Sequence, residues 1–237
     1  MRRIVGVLRH PASTMADVVS HPTFAGLWAA VLLVVIVMGG LLLSSDLGRQ
    51  ALVDERVRVL EELGRQVSDA QYAALEAQPP FSAFLTSGGR MLMAPPLTLL
   101  VALGLVAFAA TEGCRLPYRT ALAIVVHASV VLALQQLIAI PIHVVRESLT
   151  SPMTLGSVLP MLEEGTWPAR VAGAVDLFGL WWVALVAVGA SAATGRSLGR
   201  TVVRLVSAYV VIAAIIAGIV AVIAARGPQH GGPVGGL

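Results

Sequence analysis

An acid at the mouth of a long apolar run is the first group in this sequence that could do chemistry. Asp176 opens "VDLFGLWWVALVAVGASAATGR". A carboxylate at the edge of a low-dielectric region can pass a proton, pair with a cation, or bond a neighbouring segment. Three more polar groups, His127, Gln135 and Gln136, sit inside an apolar run of their own, and Trp181 follows Asp176 about one helical turn on. His127, Val131, Leu134 and Gln135 fall within one half of a helix, so His127, Gln135 and Asp176 form a candidate polar stripe lining a shallow cavity.

Two chemistries compete for that stripe. In one it moves protons or ions, as in a small transporter or permeability protein. In the other each group is satisfied by a neighbour, the amides and the imidazole bonding between helices. Asp176 would then bond Gln135, His143 or Arg146, which share its depth. A single acid with no second acid at its depth makes a thin relay, which favours the structural reading. The chain has no G-x-S-x-G, H-E-x-x-H or Walker loop, and no pair of acids on one helical face, so no enzyme chemistry is expected. The single cysteine, Cys114, excludes an intramolecular disulfide and a cysteine-cluster metal site. No cofactor is expected.

The elements that position these groups follow from composition. Of the 237 residues, 57% are hydrophobic and 12% charged, and the mean hydropathy is +0.85. That is about half the charge of an ordinary soluble domain. The apolar excess comes in runs, which points to a bilayer. The net charge of +3 is carried on the basic side by arginine alone, since lysine is absent, as is asparagine. Both gaps fit the coding bias of a GC-rich, bacterial source. No basic stripe interleaved with aromatics is present, so nucleic acid is not an expected partner.

Five runs reach the roughly 20 residues that a helix needs to cross the hydrocarbon. They are placed at Phe24–Leu43, Leu92–Ala110, Ala121–Ile142, Ala172–Ala193 and Val206–Ala225. The expected fold is all-α and polytopic, with residues 24–225 as one five-span domain. Arginines near the spans set its direction. Arg2, Arg3 and Arg9 precede the first span, Arg115 and Arg119 join the second to the third, and Arg196, Arg200 and Arg204 join the fourth to the fifth. These segments alternate to one side, so the N-terminus is expected inside and the C-terminus outside.

Residues 1–23 read as an amphipathic segment along the cytoplasmic interface, with Pro11 in the first turn of a helix ending at Ser20. Residues 44–90 read as an outer helical segment. Leu52, Val57, Leu60, Leu63 and Val67 recur at roughly helical intervals, Ser68 with Gln71 makes a capping box, and Pro79–Pro80 ends a second helix. The Gly/Pro-rich residues 226–237 read as a disordered tail. Trp167 suits the membrane interface, whereas Trp181 and Trp182 lie deeper. Ala213, Ala217, Ala221, Ala214 and Gly218 form a small-residue ladder that permits close packing within the chain or between copies.

The stretch "VLRHPASTMADVVSHPTF" resembles the start of bacterial members of the Ypt-interacting-protein (Yip) family. "PYRTALAIVVHASVV" is similar to the beginning of that family's third span. "MTLGSVLPMLEEGTWPARVAGAVDLFGLWW", carried by Asp176, Leu177, Phe178, Gly179, Leu180 and Trp181, resembles its fourth. The loop Glu112–Gly113–Cys114–Arg115 departs from the family's usual glycine pair. The resemblance implies a non-enzymatic membrane protein with five spans. It also implies an accessory or organising role, with ABC-type export machinery among the systems that bacterial relatives accompany. The Rab/Ypt GTPase partners of eukaryotic relatives do not carry over. On this reading Asp176 is architectural, Trp181 packs one turn deeper, and the partners are membrane lipids and a membrane protein or a second copy. The bacterial inner membrane is the expected location.

Overall fold

The structure is a computed structural model describing residues 2–62, 65–78, 93–146, 153–159, 161 and 166–226. The described residues form helices α1 Arg2–Arg9, α2 Pro11–Ser20, α3 Ala25–Ser44, α4 Asp46–Glu62, α5 Asp69–Glu76 and α6 Ala94–Thr111. They continue as α7 Tyr118–Ala128, α8 Val130–Arg146, α9 Leu155–Val158, α10 Trp167–Ala174, α11 Leu177–Thr194 and α12 Leu198–Arg226. Local chemistry sets several of these boundaries. Prolines occupy the first turns of α2, α6 and α10, where the missing N–H has no intrahelical partner to lose. Gly195 ends α11 at φ +67°, a left-handed conformation that costs glycine nothing.

Four stretches are long and apolar enough to cross a bilayer: Ala94–Thr111, Tyr118–Ile142, Leu177–Thr194 and Leu198–Ile219. The expected first span is apolar but shorter over its described side chains, Ala25–Leu41. Large aliphatic side chains on α3, α6 and α12 face outward, among them Leu33, Leu100 and Ile212.

The bundle is built around α7, whose residues Thr120–Ala128 are all buried. It packs against α2, α6 and α11. At Gly189 the backbone of α11 comes so close to α7 that a Cβ would collide with Ile124 Cγ2, so only glycine fits there. The stretch Tyr118–Ile142 is interrupted at Ser129. There the Ser129 hydroxyl donates to the Val125 carbonyl at 2.9 Å, and His127 Nδ1 bonds the Ala123 carbonyl at 2.8 Å. Side chains that bond carbonyls one turn back bend a helix.

Three features differ from the sequence expectation. First, α1 and α2 do not merely lie on a surface: α2 packs between α7 and α11, and Val7, Met15 and Val18 are fully buried. Second, the fourth run does not begin at Ala172. Residues Trp167–Ala174 form the separate helix α10, and the chain is extended at Val175 and Asp176 before α11 begins. Third, α4 buries Ala51 and Val53, whereas Leu52, Val57 and Leu60 are only partly covered.

The capping box ahead of α5 is formed, with Ser68 Oγ accepting from Gln71 N at 3.3 Å and Gln71 Oε1 accepting from Ser68 N at 3.2 Å. Tyr72 ties α5 to α4 by donating to Asp54 Oδ1 at 2.8 Å. The small-residue ladder is used within the chain: Ala213 and Ala217 are buried, and Gly218 makes room for the Trp167 ring of α10. Leu63, Pro79–Pro80 and the tail beyond Arg226 lie outside the described residues.

Candidate functional site

Asp176 stands at the N-cap of α11, where its extended backbone lets the carboxylate fold back onto the first turn. Oδ1 accepts from the Gly179 amide at 3.0 Å, and Oδ2 accepts from Gln135 Nε2 of α8 at 3.0 Å. Its own amide donates to the Tyr209 hydroxyl of α12 at 3.3 Å. A short antiparallel bridge to Thr154 holds the backbone on both sides, with Leu155 N bonded to Val175 O at 2.9 Å and Leu177 N to Met153 O at 2.8 Å. One acid thus joins α8, α11, α12 and the strand-like segment before α9.

Gly179 belongs to the same construction. A Cβ at that position would lie 2.6 Å from the Tyr209 hydroxyl, so the glycine of "DLFGLWW" is what lets α12 bring its tyrosine to the cap. Trp181, one turn further along α11, is 39% exposed and meets Phe178 with ring centroids 6.2 Å apart. It lies beside the junction on the outer face of α11. Gln136 is half-buried, and its side chain makes no hydrogen bond among the described residues. Of the partners expected for Asp176, Gln135 is found bonded to it, and the side chains of His143 and Arg146 lie outside the described residues.

His127 belongs to a different place. It is 2% exposed and lines an open groove of about 920 Å³ together with Arg3, Thr23, Phe24 and Arg119. Neither Gln135 nor Asp176 lines that groove. The three residues of the expected stripe are therefore divided between two sites.

At the arginine-rich end, the α6–α7 loop is joined to the α11–α12 loop. The Glu112 carboxylate, 10% exposed, pairs with Arg204 and lies 3.7 Å from Arg196 Nε. Cys114 Sγ lies 3.6 Å from the Thr194 carbonyl in the same joint. Nearby, Arg3 Nε donates to Asp17 Oδ2 at 2.7 Å, locking α1 to α2. That hydrogen bond, aided by the Arg3 charge, holds the Asp17 carboxyl below its ordinary range. Tyr209 and Glu112 were not singled out from sequence. A tyrosine in an apolar run and an acid in a short loop announce no partner until the fold supplies one.

A buried α7, an acid-capped α11 and small-residue packing on α12 characterise the bundle. The Yip1 domain family model matches residues 5–222 of the chain. The chain belongs to the Yip1 domain family. Its apolar helices and that membership make it an integral membrane protein. No curated protein and no solved structure matches it. In this Yip-family chain the match runs from α1 through most of α12, so the N-terminal hairpin, the Asp176 junction and the arginine-rich joint all fall inside the domain.

Proposed function

We propose that this protein is a non-enzymatic membrane subunit that organises or accompanies a larger membrane assembly. The observation that carries the reading is the employment of Asp176. Both carboxylate oxygens and the backbone nitrogen are held by structural partners, on three helices, at the position where a coupling acid would be sought. A group that must bind and release a proton or ion during turnover needs freedom that this one lacks. The separation of His127 from the Gln135–Asp176 pair argues the same way against a continuous polar path.

In this reading α3 is the first of five crossings, and the arginine-rich end carrying Arg3, Arg119, Arg196 and Arg204 faces the cytoplasm of a bacterial cell, with the C-terminus outside. The helices α4 and α5 lie on the outer face, and the exposed aliphatic faces of α3, α6 and α12 meet lipid, a membrane-protein partner or a second copy. ABC-type export machinery is the class of assembly we favour.

The test replaces Asp176 with Asn and His127 with Ala, separately, and follows assembly and flux. An organising subunit loses stability or co-assembly in the Asp176 variant, and reconstituted vesicles show no solute flux for wild type or variant. Flux by wild type that disappears in a folded Asp176→Asn protein would establish the transporter instead.

A further inference from the structure

The groove at the head of α3 and α7 has no part in the Asp176 junction, and its lining is of two kinds. Arg3 and Arg119 supply charge, whereas Phe24, Leu27 and Ala30 supply an apolar wall. Both arginines are held by one edge and open at the other. Arg3 Nε is bonded to Asp17, and its Nη1 donates to the His21 carbonyl at 3.1 Å and to Thr23 Oγ1 at 2.9 Å. Its Nη2 has no bond among the described residues. Among the described residues Arg119 is fixed only through Nε, which donates to the Pro22 carbonyl at 3.2 Å, so both of its Nη atoms are unengaged. The amides of Ala25, Gly26 and Leu27 precede the first bond of α3, from Trp28 N to the Phe24 carbonyl, and add the positive end of the helix dipole.

His127 gives an independent sign of a ligand. Its Nδ1 bonds a carbonyl, which can only accept, so the proton resides on Nδ1. The other ring nitrogen, Nε2, has no partner among the described residues, although the side chain is 2% exposed and lines the groove. That nitrogen opens onto the groove, where a ligand hydroxyl donating to it would satisfy it.

We propose that this groove binds an anionic glycerophospholipid. The phosphate is taken by the open guanidinium edges and the first turn of α3, a headgroup hydroxyl bonds His127 Nε2, and an acyl chain runs down α3. The occupant is a lipid because the apolar wall continues out of the groove. Ala30, Leu33, Val37 and Leu41 follow at helical spacing on one exposed face. At 1.5 Å per residue that stripe is about 16 Å long, roughly one leaflet of hydrocarbon. Arg119 and the first turn of α3 stand at the polar ends of apolar helices, whichever side of the membrane the N-terminus occupies.

Native mass spectrometry of the full chain in mild detergent, with phosphatidylglycerol or phosphatidylcholine of the same chain length added, tests the proposal. Wild type is expected to retain phosphatidylglycerol about tenfold better, and Arg119→Ala to bring it close to the phosphatidylcholine level, since each arginine is worth about fivefold. Gly26→Leu separates binding from folding. A Cβ at Gly26 meets no atom within 4 Å, so the new side chain starts in open space at the groove. That variant is expected to keep the wild-type melting temperature and lose the lipid. Equal retention of the two lipids by wild type overturns the proposal, as does full retention by Gly26→Leu. Displacement of phosphatidylglycerol by millimolar inorganic phosphate also overturns it, because the site would then take a soluble anion.

Discussion

Gln135 and Asp176 meet at 3.0 Å between α8 and α11, so the amide embedded in one apolar run is the partner of the acid that opens another. The same carboxylate caps its own helix and its backbone nitrogen reaches Tyr209. Three helices are therefore registered against each other at one residue.

Asp176→Ala removes the cap and leaves the Gln135 amide without this acceptor. Losing a cap costs about 1 kcal/mol, and an unpaired, part-buried amide adds about 1–3 kcal/mol. Asp176→Asn keeps one carbonyl oxygen and should fall between alanine and wild type. Thermal melts in detergent order the three proteins, and Gln135→Ala combined with Asp176→Ala should cost less than the sum of the single changes.

Gly179→Ala places a methyl group against the Tyr209 hydroxyl. Overpacking of this kind costs about 1–3 kcal/mol. Tyr209→Phe removes the oxygen that the new methyl would strike, although the ring carbon behind it stays within 3.2 Å. The double variant should thus recover part of the loss. Equal stability of Gly179→Ala and wild type would show that α12 does not hold its tyrosine against the cap.

Glu112 is the acid of the arginine-rich joint, nearly buried between partly exposed Arg196 and Arg204. Its removal leaves two cations facing each other across loops that are distant in sequence. A fully buried pair broken in this way loses 3–5 kcal/mol and an exposed one under 1, so about 2 kcal/mol is expected for Glu112→Ala. Glu112→Gln should recover little, because the charge is what the arginines need. Differential scanning fluorimetry of the purified variants reads the effect.

Asp17 gives a pH dependence with a definite sign. Its carboxyl is held below the unfolded value of 3.8, chiefly by the Arg3 hydrogen bond. A depressed acid contributes stability that is present above the unfolded pKa and is lost as pH falls through the folded pKa. The difference in melting temperature between wild type and Asp17→Asn should be present at about pH 5 and shrink below pH 3.8. A difference that fails to shrink below pH 3.8 would mean that the Arg3–Asp17 bond does not hold α1 to α2.

Much of this was legible in the sequence, for identifiable reasons. Apolar runs near 20 residues announced the long helices, and Ser68 with Gln71 announced the start of α5, because both signals are local. Gln135 was one of three partners foreseen for Asp176, since depth along a span follows from residue counting. The break between α10 and α11 was hidden, because hydropathy runs smoothly through Val175 and Leu177 while the cause is a bridge to the distant Thr154. Burial of Met15 and Val18 was hidden too: an apolar edge beside arginines looks the same whether it meets lipid or α7. Tyr209 reaches Asp176 only through the helix packing that Gly179 allows, a relation no sequence spacing encodes.

An organising subunit of the kind proposed must keep its partners when it is taken from the membrane. Purification of a tagged copy from its native membranes in mild detergent, with co-purifying proteins quantified by mass spectrometry, tests this most directly. Recovery of a membrane assembly in fixed stoichiometry, lost or reduced in Asp176→Ala, is the expected result. A partnerless wild-type chain that supports solute flux in reconstituted vesicles would contradict it.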